Sequence, residues 1–166
     1  METKIENNPL VKEFIEIATT YSASGDERKV ADLLIGKLKE IGCVDIYEDD
    51  AGKKLGGNTG NVHATLPGTL PGSILFNAHM DRGEIMMVDG VRPPIRPVVN
   101  AKEDRIETDG TTLLAGDDIA GIMAILDALR RLKASGKPHS NVEVFFSASE
   151  EDAGKGSLYG DYSRVK

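Results

Sequence analysis

A chain of 166 residues with 40% apolar side chains is long enough for one domain with its own core. Its net charge of −7 gives non-specific nucleic-acid binding no electrostatic footing, and no apolar run nears the roughly 20 residues of a membrane span. The single cysteine, Cys43, excludes an internal disulfide and reads as a small half-buried residue at a strand start. With an N-terminus that lacks the apolar core of a signal peptide, it leads to the expectation of a cytoplasmic protein.

Asn8-Pro9 opens a helix whose apolar stripe is Leu10, Phe14, Ile17 and Ala18. Residues 21–25 break it, and Asp26 is placed to cap a second helix. That helix carries Val30, Leu33, Leu34, Leu38 and Ile41 on one face and stops at Gly42. Residues 43–48 alternate loosely as a strand, 49–60 are turn-rich, and 61–66 form a strand ending at Pro67-Gly68. The apolar run from Ser73 through Ile74, Leu75 and Phe76 to His79 and Asp81 reads as a buried strand. Residues 84–100 are proline-rich without a period, as a loop or edge segment would be. A short strand at 105–108 turns at Asp109-Gly110.

The strongest helix begins near Asp117, with Ile119, Ile122, Ile125, Leu126, Leu129 and Leu132 as its stripe. Arg130, Arg131 and Lys133 lie toward its C-terminal end, the end the helix dipole favours for cations, and Gly136-Lys137-Pro138 closes it. Residues 142–146 are another buried strand, and the tail from Gly154 has no assignable core partner. The alternation of helices and short apolar strands predicts an α/β domain with a parallel or mixed sheet and no internal boundary.

Three places combine strand ends or helix starts with acids. Residues two apart on an extended chain share a face, so His79 and Asp81 project to the same side. They stand at the carboxyl end of a strand, where open α/β sheets bind ligands. Gly116-Asp117-Asp118 begins the strong helix, and Glu150-Glu151-Asp152 follows the last strand. Singly, these have ordinary explanations: a hydrogen-bonded core histidine, helix caps, a solvated turn. Together they fall where a sheet gathers its strand ends. Asp81, Asp117, Glu150 and Glu151 would then place like charges a few ångströms apart, a conflict that divalent cations remove. A histidine among carboxylates suits zinc, with cobalt or manganese as alternatives. Adjacent residues on an extended chain point opposite ways, so Glu150 and Glu151 are expected to divide their labour. One would hold metal, and the other would be general base to the attacking water.

The blocks Asn77-Ala78-His79-Met80-Asp81, Thr108-Asp109-Gly110-Thr111-Thr112-Leu113-Leu114-Ala115-Gly116-Asp117-Asp118 and Ser149-Glu150-Glu151-Asp152-Ala153-Gly154-Lys155-Gly156 occur in that order. They resemble the peptidase T-like branch of the co-catalytic metallopeptidases (clan MH), over a stretch from about Pro9 to Ser157. The resemblance implies a three-layer sandwich with a mixed, largely parallel sheet and helices on both faces. It implies His79 as a ligand of one zinc, Asp117 as the bridge between two, and Glu151 as a ligand of the other. Asp81 and Glu150 are the implied catalytic residues, the first orienting the imidazole and the second acting as general base. Asp118 is expected to cap or support the site. The implied substrates are short peptides cleaved at the N-terminal bond, tripeptides in the peptidase T case.

Three positions depart from that pattern: Ile119 where lysine is usual, a reversed Ala115-Gly116, and Arg82 where a small polar residue is common. The family's two remaining ligand positions and its lid domain would fall beyond Lys166. Asp161 is no expected substitute, and His63 and His139 match no ligand position. Residues 1–166 are thus expected to be a single domain, the N-terminal part of a catalytic domain, binding metal weakly and cleaving peptides poorly or not at all. Two rival expectations stand beside this one. The same metal pair could deacylate N-acyl amino acids. Uncovered sheet edges could instead make the chain a non-catalytic scaffold or a homo-oligomerisation module.

Overall fold

The computed structural model describes residues 5–83 and 93–165. The first helix, α1 (Pro9–Thr19), starts as its sequence dictates. Asn8 Oδ1 accepts from Leu10 N at 3.0 Å, and Pro9 occupies the first turn, where no N–H is needed. The second, α2 (Arg28–Ile41), is not capped by Asp26. Asp26 closes a tight turn, its N–H donating to Ala23 O at 2.7 Å, and its carboxylate accepts from Asn58 Nδ2. The cap comes from across the fold instead, with Asn58 Oδ1 accepting from Arg28 N at 3.1 Å. Gly42, at φ 92°, ends α2 with its N–H on the Leu38 and Lys39 carbonyls, a left-handed closure that glycine adopts without a Cβ penalty.

The remaining elements are β1 (Val44–Glu48), α3 (Ala51–Leu55), β2 (Val62–Leu66), β3 (Ser73–His79), β4 (Pro97–Asn100), β5 (Arg105–Thr108), α4 (Gly116–Ser135), β6 (Asn141–Ser147) and α5 (Lys155–Leu158). α3 lies inside the segment expected to be turns only; five residues are too few to show a helical period. Of the segment expected as a loop or edge, residues 84–92 lie outside the described residues. Its end forms β4, which pairs antiparallel with β5.

The main sheet has the order β1-β2-β6-β3 and is mixed, as expected, but among the described strands it is not largely parallel. Its parallel ladder is β3–β6; β1–β2 and β2–β6 are antiparallel. Val62, Ala64 and Leu66 of β2 and Val142, Val144 and Phe146 of β6 alternate onto one face, where they form one core with the buried residues of α1, α2 and α4. Arg130 of α4 grips Glu13 of α1 through two bonds of 2.6 and 2.7 Å, and Lys37 of α2 reaches the same carboxylate at 3.1 Å. The three long helices are thus tied together on that face. The expected three-layer arrangement has helices on both faces; here the opposite face carries His63 and Phe145, and the tail lies against it. Tyr162 packs on Phe145, and the Asp161 amide donates to Asp49. The tail therefore does find partners in the fold.

β3 differs from its expectation. Ile74, Leu75 and Phe76 are 51%, 38% and 41% exposed, since among the described residues β3 pairs with β6 alone. Only its carboxyl end enters the interior: Ala78, His79, Met80 and Asp81 are all buried.

Candidate metal centre

The parallel ladder between β3 and β6 ends at the His79–Ser147 pair, so the two chain segments beyond it emerge side by side. Met80-Asp81-Arg82 leaves one strand, and Ala148-Ser149-Glu150-Glu151 leaves the other. α4 packs beside β3 and delivers its own start to the same place. Asp117 and Asp118 have non-helical backbone, and the regular helix begins at Ile119.

One donor atom each from His79, Asp117 and Glu151 lies within 4.8 Å of the others. His79 is buried, while the Asp117 side chain is 85% exposed, so the cluster is a wall of the protein that opens to solvent. The imidazole is pinned from behind. Its Nδ1 lies 2.8 Å from the Asp81 carbonyl oxygen and 3.4 Å from Asp81 Oδ1. Its Nε2 faces outward, 2.8 Å from Asp117 Oδ1 and 3.7 Å from Glu150 Oε2. Burial opposes charging of this ring, but hydrogen bonds to Asp81 and Asp117 outweigh it and lift His79 to about 10.

Asp81 has no solvent exposure and anchors the whole arrangement. Its Oδ1 accepts from Glu150 N at 2.9 Å, and its Oδ2 accepts from Glu151 N at 3.0 Å and Ser24 Oγ at 2.6 Å. Burial pushes Asp81 up, yet the bonds from His79, Ser24 and these two amides hold its carboxyl below the usual range. Gly83 completes the approach: a Cβ there would stand 2.8 Å from Glu151 Oε1, so only glycine leaves that carboxylate its place.

All five residues singled out in the sequence therefore meet: His79, Asp117 and Glu151 at the rim, Glu150 beside the imidazole, Asp81 beneath. Asp118 makes the capping contact expected of it, accepting from Gly121 N at 3.0 Å. His63 lies elsewhere, stacked on Tyr47 and 3.2 Å from Asp49, and His139 Nδ1 sits 2.8 Å from the Ser140 carbonyl. Arg82 is buried, its guanidinium 5.6 Å from the Tyr21 ring centroid. Asp161 donates its amide to Asp49 and accepts from Ser163.

Sequence reasoning missed the floor of the site, which the segment 22–27 supplies. Arg82 N donates to Ser22 O at 3.0 Å, Ser24 bonds Asp81, and Glu27 Oε1 accepts from Ser149 N at 2.9 Å. The one available signal was the helix break at residues 21–25, since segments between elements are where sites draw their residues.

The model of peptidase family M28 matches residues 61–161, well over half of the chain. The chain belongs to that family. Among sequence relatives, the uncharacterized protein YqjE of Bacillus subtilis is 31% identical over 162 residues, which are 97% of this chain and 41% of the relative. The crystal structure of aminopeptidase PepT from Bacillus cereus superposes with a TM-score of 0.81 at 33% identity, covering 94% of this chain and 40% of that one. A Staphylococcus aureus tripeptidase gives 0.81 at 27% identity, covering 95% and 40%. The chain thus spans about two fifths of the length of the relatives it matches. The fold and family of this M28 peptidase chain agree with the resemblance drawn from its three blocks. Among its described residues, no helix is long and apolar enough to cross a membrane.

The donor set of this M28 chain fits a divalent ion on its own chemistry. An imidazole nitrogen, once a bound ion has displaced its proton, and two carboxylates are ligands of the zinc type, and the imidazole carries the carboxylate partner that zinc-binding histidines ordinarily have.

Proposed function

We infer that this chain carries the centre of a metal-dependent aminopeptidase acting on short peptides, with tripeptides as the best substrates. The observation that supports it is the gathering of His79, Asp117 and Glu151 donors within 4.8 Å, with Glu150 beside them. The resemblance and the names of the Bacillus and Staphylococcus structures supply the substrate class. His79, Asp117 and Glu151 would hold zinc, with cobalt or manganese as substitutes. A bound ion would polarise the scissile carbonyl and lower the pKa of the attacking water.

The chain's own groups do the rest. Asp81 fixes the ring orientation of His79, leaving Nε2 as the ligand atom. Glu150, partly exposed and 3.7 Å from that nitrogen, accepts a proton from the attacking water. As the carbon–nitrogen bond breaks, the same carboxyl returns that proton to the departing amine. Two of the three donors are exposed carboxylates, so metal affinity is expected to be weak and turnover low.

The test is a panel of tripeptides with free or acetylated N-termini, assayed with zinc, with cobalt and with a chelator. Cleavage of the free-amine peptides, lost with chelator and reduced about 10²–10⁴-fold in Glu150→Gln, is the expected result. Preference for the acetylated compounds would favour a deacylase. Cleavage that survives both the chelator and Glu150→Gln would remove the proposal.

A further inference from the structure

Three successive amides on the turn that bears the two glutamates are caught by two fully buried carboxylates. Ser149 N donates to Glu27 Oε1, Glu150 N to Asp81 Oδ1 and Glu151 N to Asp81 Oδ2, all at 2.9–3.0 Å. Asp81 follows the strand that carries His79 and orients that ring. Glu27 comes from a different element. It immediately precedes α2, where an acid would ordinarily cap the helix or face water, and it makes no capping bond. Its Oε1 also accepts from Gly25 N at 2.9 Å and from Ser149 Oγ at 3.3 Å. Its Oε2 is buried with no hydrogen-bond partner among the described residues. A carboxylate so placed is costly to bury, and it gives helix α2 no capping hydrogen bond.

What it holds is a strained corner. Ser149 has φ 49°, a left-handed backbone that residues with a Cβ seldom adopt. That corner is where the chain leaves β6, and it sets the direction of the next two side chains. We propose that Glu27 is a positioning residue, locking the Ser149 turn from beneath so that Glu150 and Glu151 project toward His79 and Asp117. This role rests on the reading of Glu151 as metal ligand and Glu150 as general base. Glu27 touches none of the metal donors itself; it acts through the Ser149 amide.

The experiment compares wild type, Glu27→Ala and Glu27→Gln, with His79→Ala as control. Glutamine keeps an accepting oxygen for the Ser149 and Gly25 amides; alanine does not. Amide hydrogen exchange at residues 149–151 in chelator reads the clamp itself. Cobalt(II) titration, followed by its visible absorption, reads the assembled ligands. Both are run well below each variant's melting temperature. Glu27→Ala is expected to speed exchange about tenfold and weaken cobalt binding about 10–100-fold, as loss of groups that orient metal ligands typically does, with Glu27→Gln staying within about threefold of wild type.

A merely structural Glu27 would lower the melting temperature of its variants and leave cobalt affinity unchanged. That result overturns the proposal, as does unchanged exchange in Glu27→Ala. A wild type that gives no cobalt spectrum, or one that His79→Ala retains, refutes the metal reading and the positioning role with it. Wild-type binding through His79, matched by Glu27→Ala, refutes the positioning role alone.

Discussion

Two buried histidine–aspartate pairs sit on the same sheet, and they differ in what lies beyond the ring. His63 of β2 is 3.2 Å from Asp49, stacked on Tyr47 with centroids 4.4 Å apart and edge-on to Phe145 at 4.8 Å. Asp49 also accepts from the Ala51, Asn61 and Asp161 amides and from Asn61 Nδ2, so its carboxylate is fully engaged within the fold. His79 of β3 is held by Asp81 in a similar way, but its outer nitrogen meets Asp117, Glu150 and the rim near Glu151. One pair ties the β1–β2 edge to the tail. The other presents an oriented imidazole to a wall of exposed acids. A histidine with a carboxylate behind it is common to both; acids converging in front of it distinguish a centre from a strut.

The sharpest way to break this comparison is to remove the carboxylate of the His63 pair. Asp49→Ala strips the acceptor from several buried donors and should cost about 3–5 kcal/mol in urea unfolding, with cobalt affinity of the folded protein unchanged. His79→Ala should instead weaken cobalt binding by about 100-fold or more in a visible-absorption titration, alongside the loss of the stability that its charged ring supplies in chelator at neutral pH.

The two pairs should also leave opposite marks on stability against pH in chelator. Burial pushes Asp49 up, but hydrogen bonds from His63, Asn61, Asp161 and Ala51 hold it well below its ordinary 3.8. Its contribution is therefore present above pH 3.8 and is lost as the pH falls further. His79 is held at about 10 against an ordinary 6.5, so its contribution is full below pH 6.5 and is lost as the pH rises toward 10. Urea midpoints across pH should show both declines, with Asp49→Asn flattening the acid one and His79→Ala the alkaline one. The smallest effect is expected from His63→Phe, which keeps the stack on Tyr47 and leaves Asp49 one donor short, at a cost of about 1 kcal/mol and with no change in metal response.

Much of this was legible in the chain, for identifiable physical reasons. α1 and α4 announce themselves because their apolar stripes persist over several turns and their ends carry Asn8-Pro9 and Gly136. The five site residues were legible because each ends or follows a strand or begins a helix, and a parallel β3–β6 ladder brings those ends together. Local pattern misled where pairing decides. The run Ile74-Leu75-Phe76 looks like a buried strand, yet among the described residues it pairs with β6 alone and is exposed. Asp26 looks like the cap of α2, yet Asn58, 30 residues from Arg28 in sequence, supplies it. Glu27 gave no signal at all, because an acid before a helix reads as solvated unless its contact with Ser149 is known.

The most direct measurement is the melting temperature of chelator-treated wild type and His79→Ala, each with and without millimolar zinc. The account predicts a rise of about 5 °C in wild type, as expected for an ion that binds only the folded chain at a concentration well above its Kd, and none in His79→Ala. An equal rise in both proteins, or no rise in wild type, would contradict it.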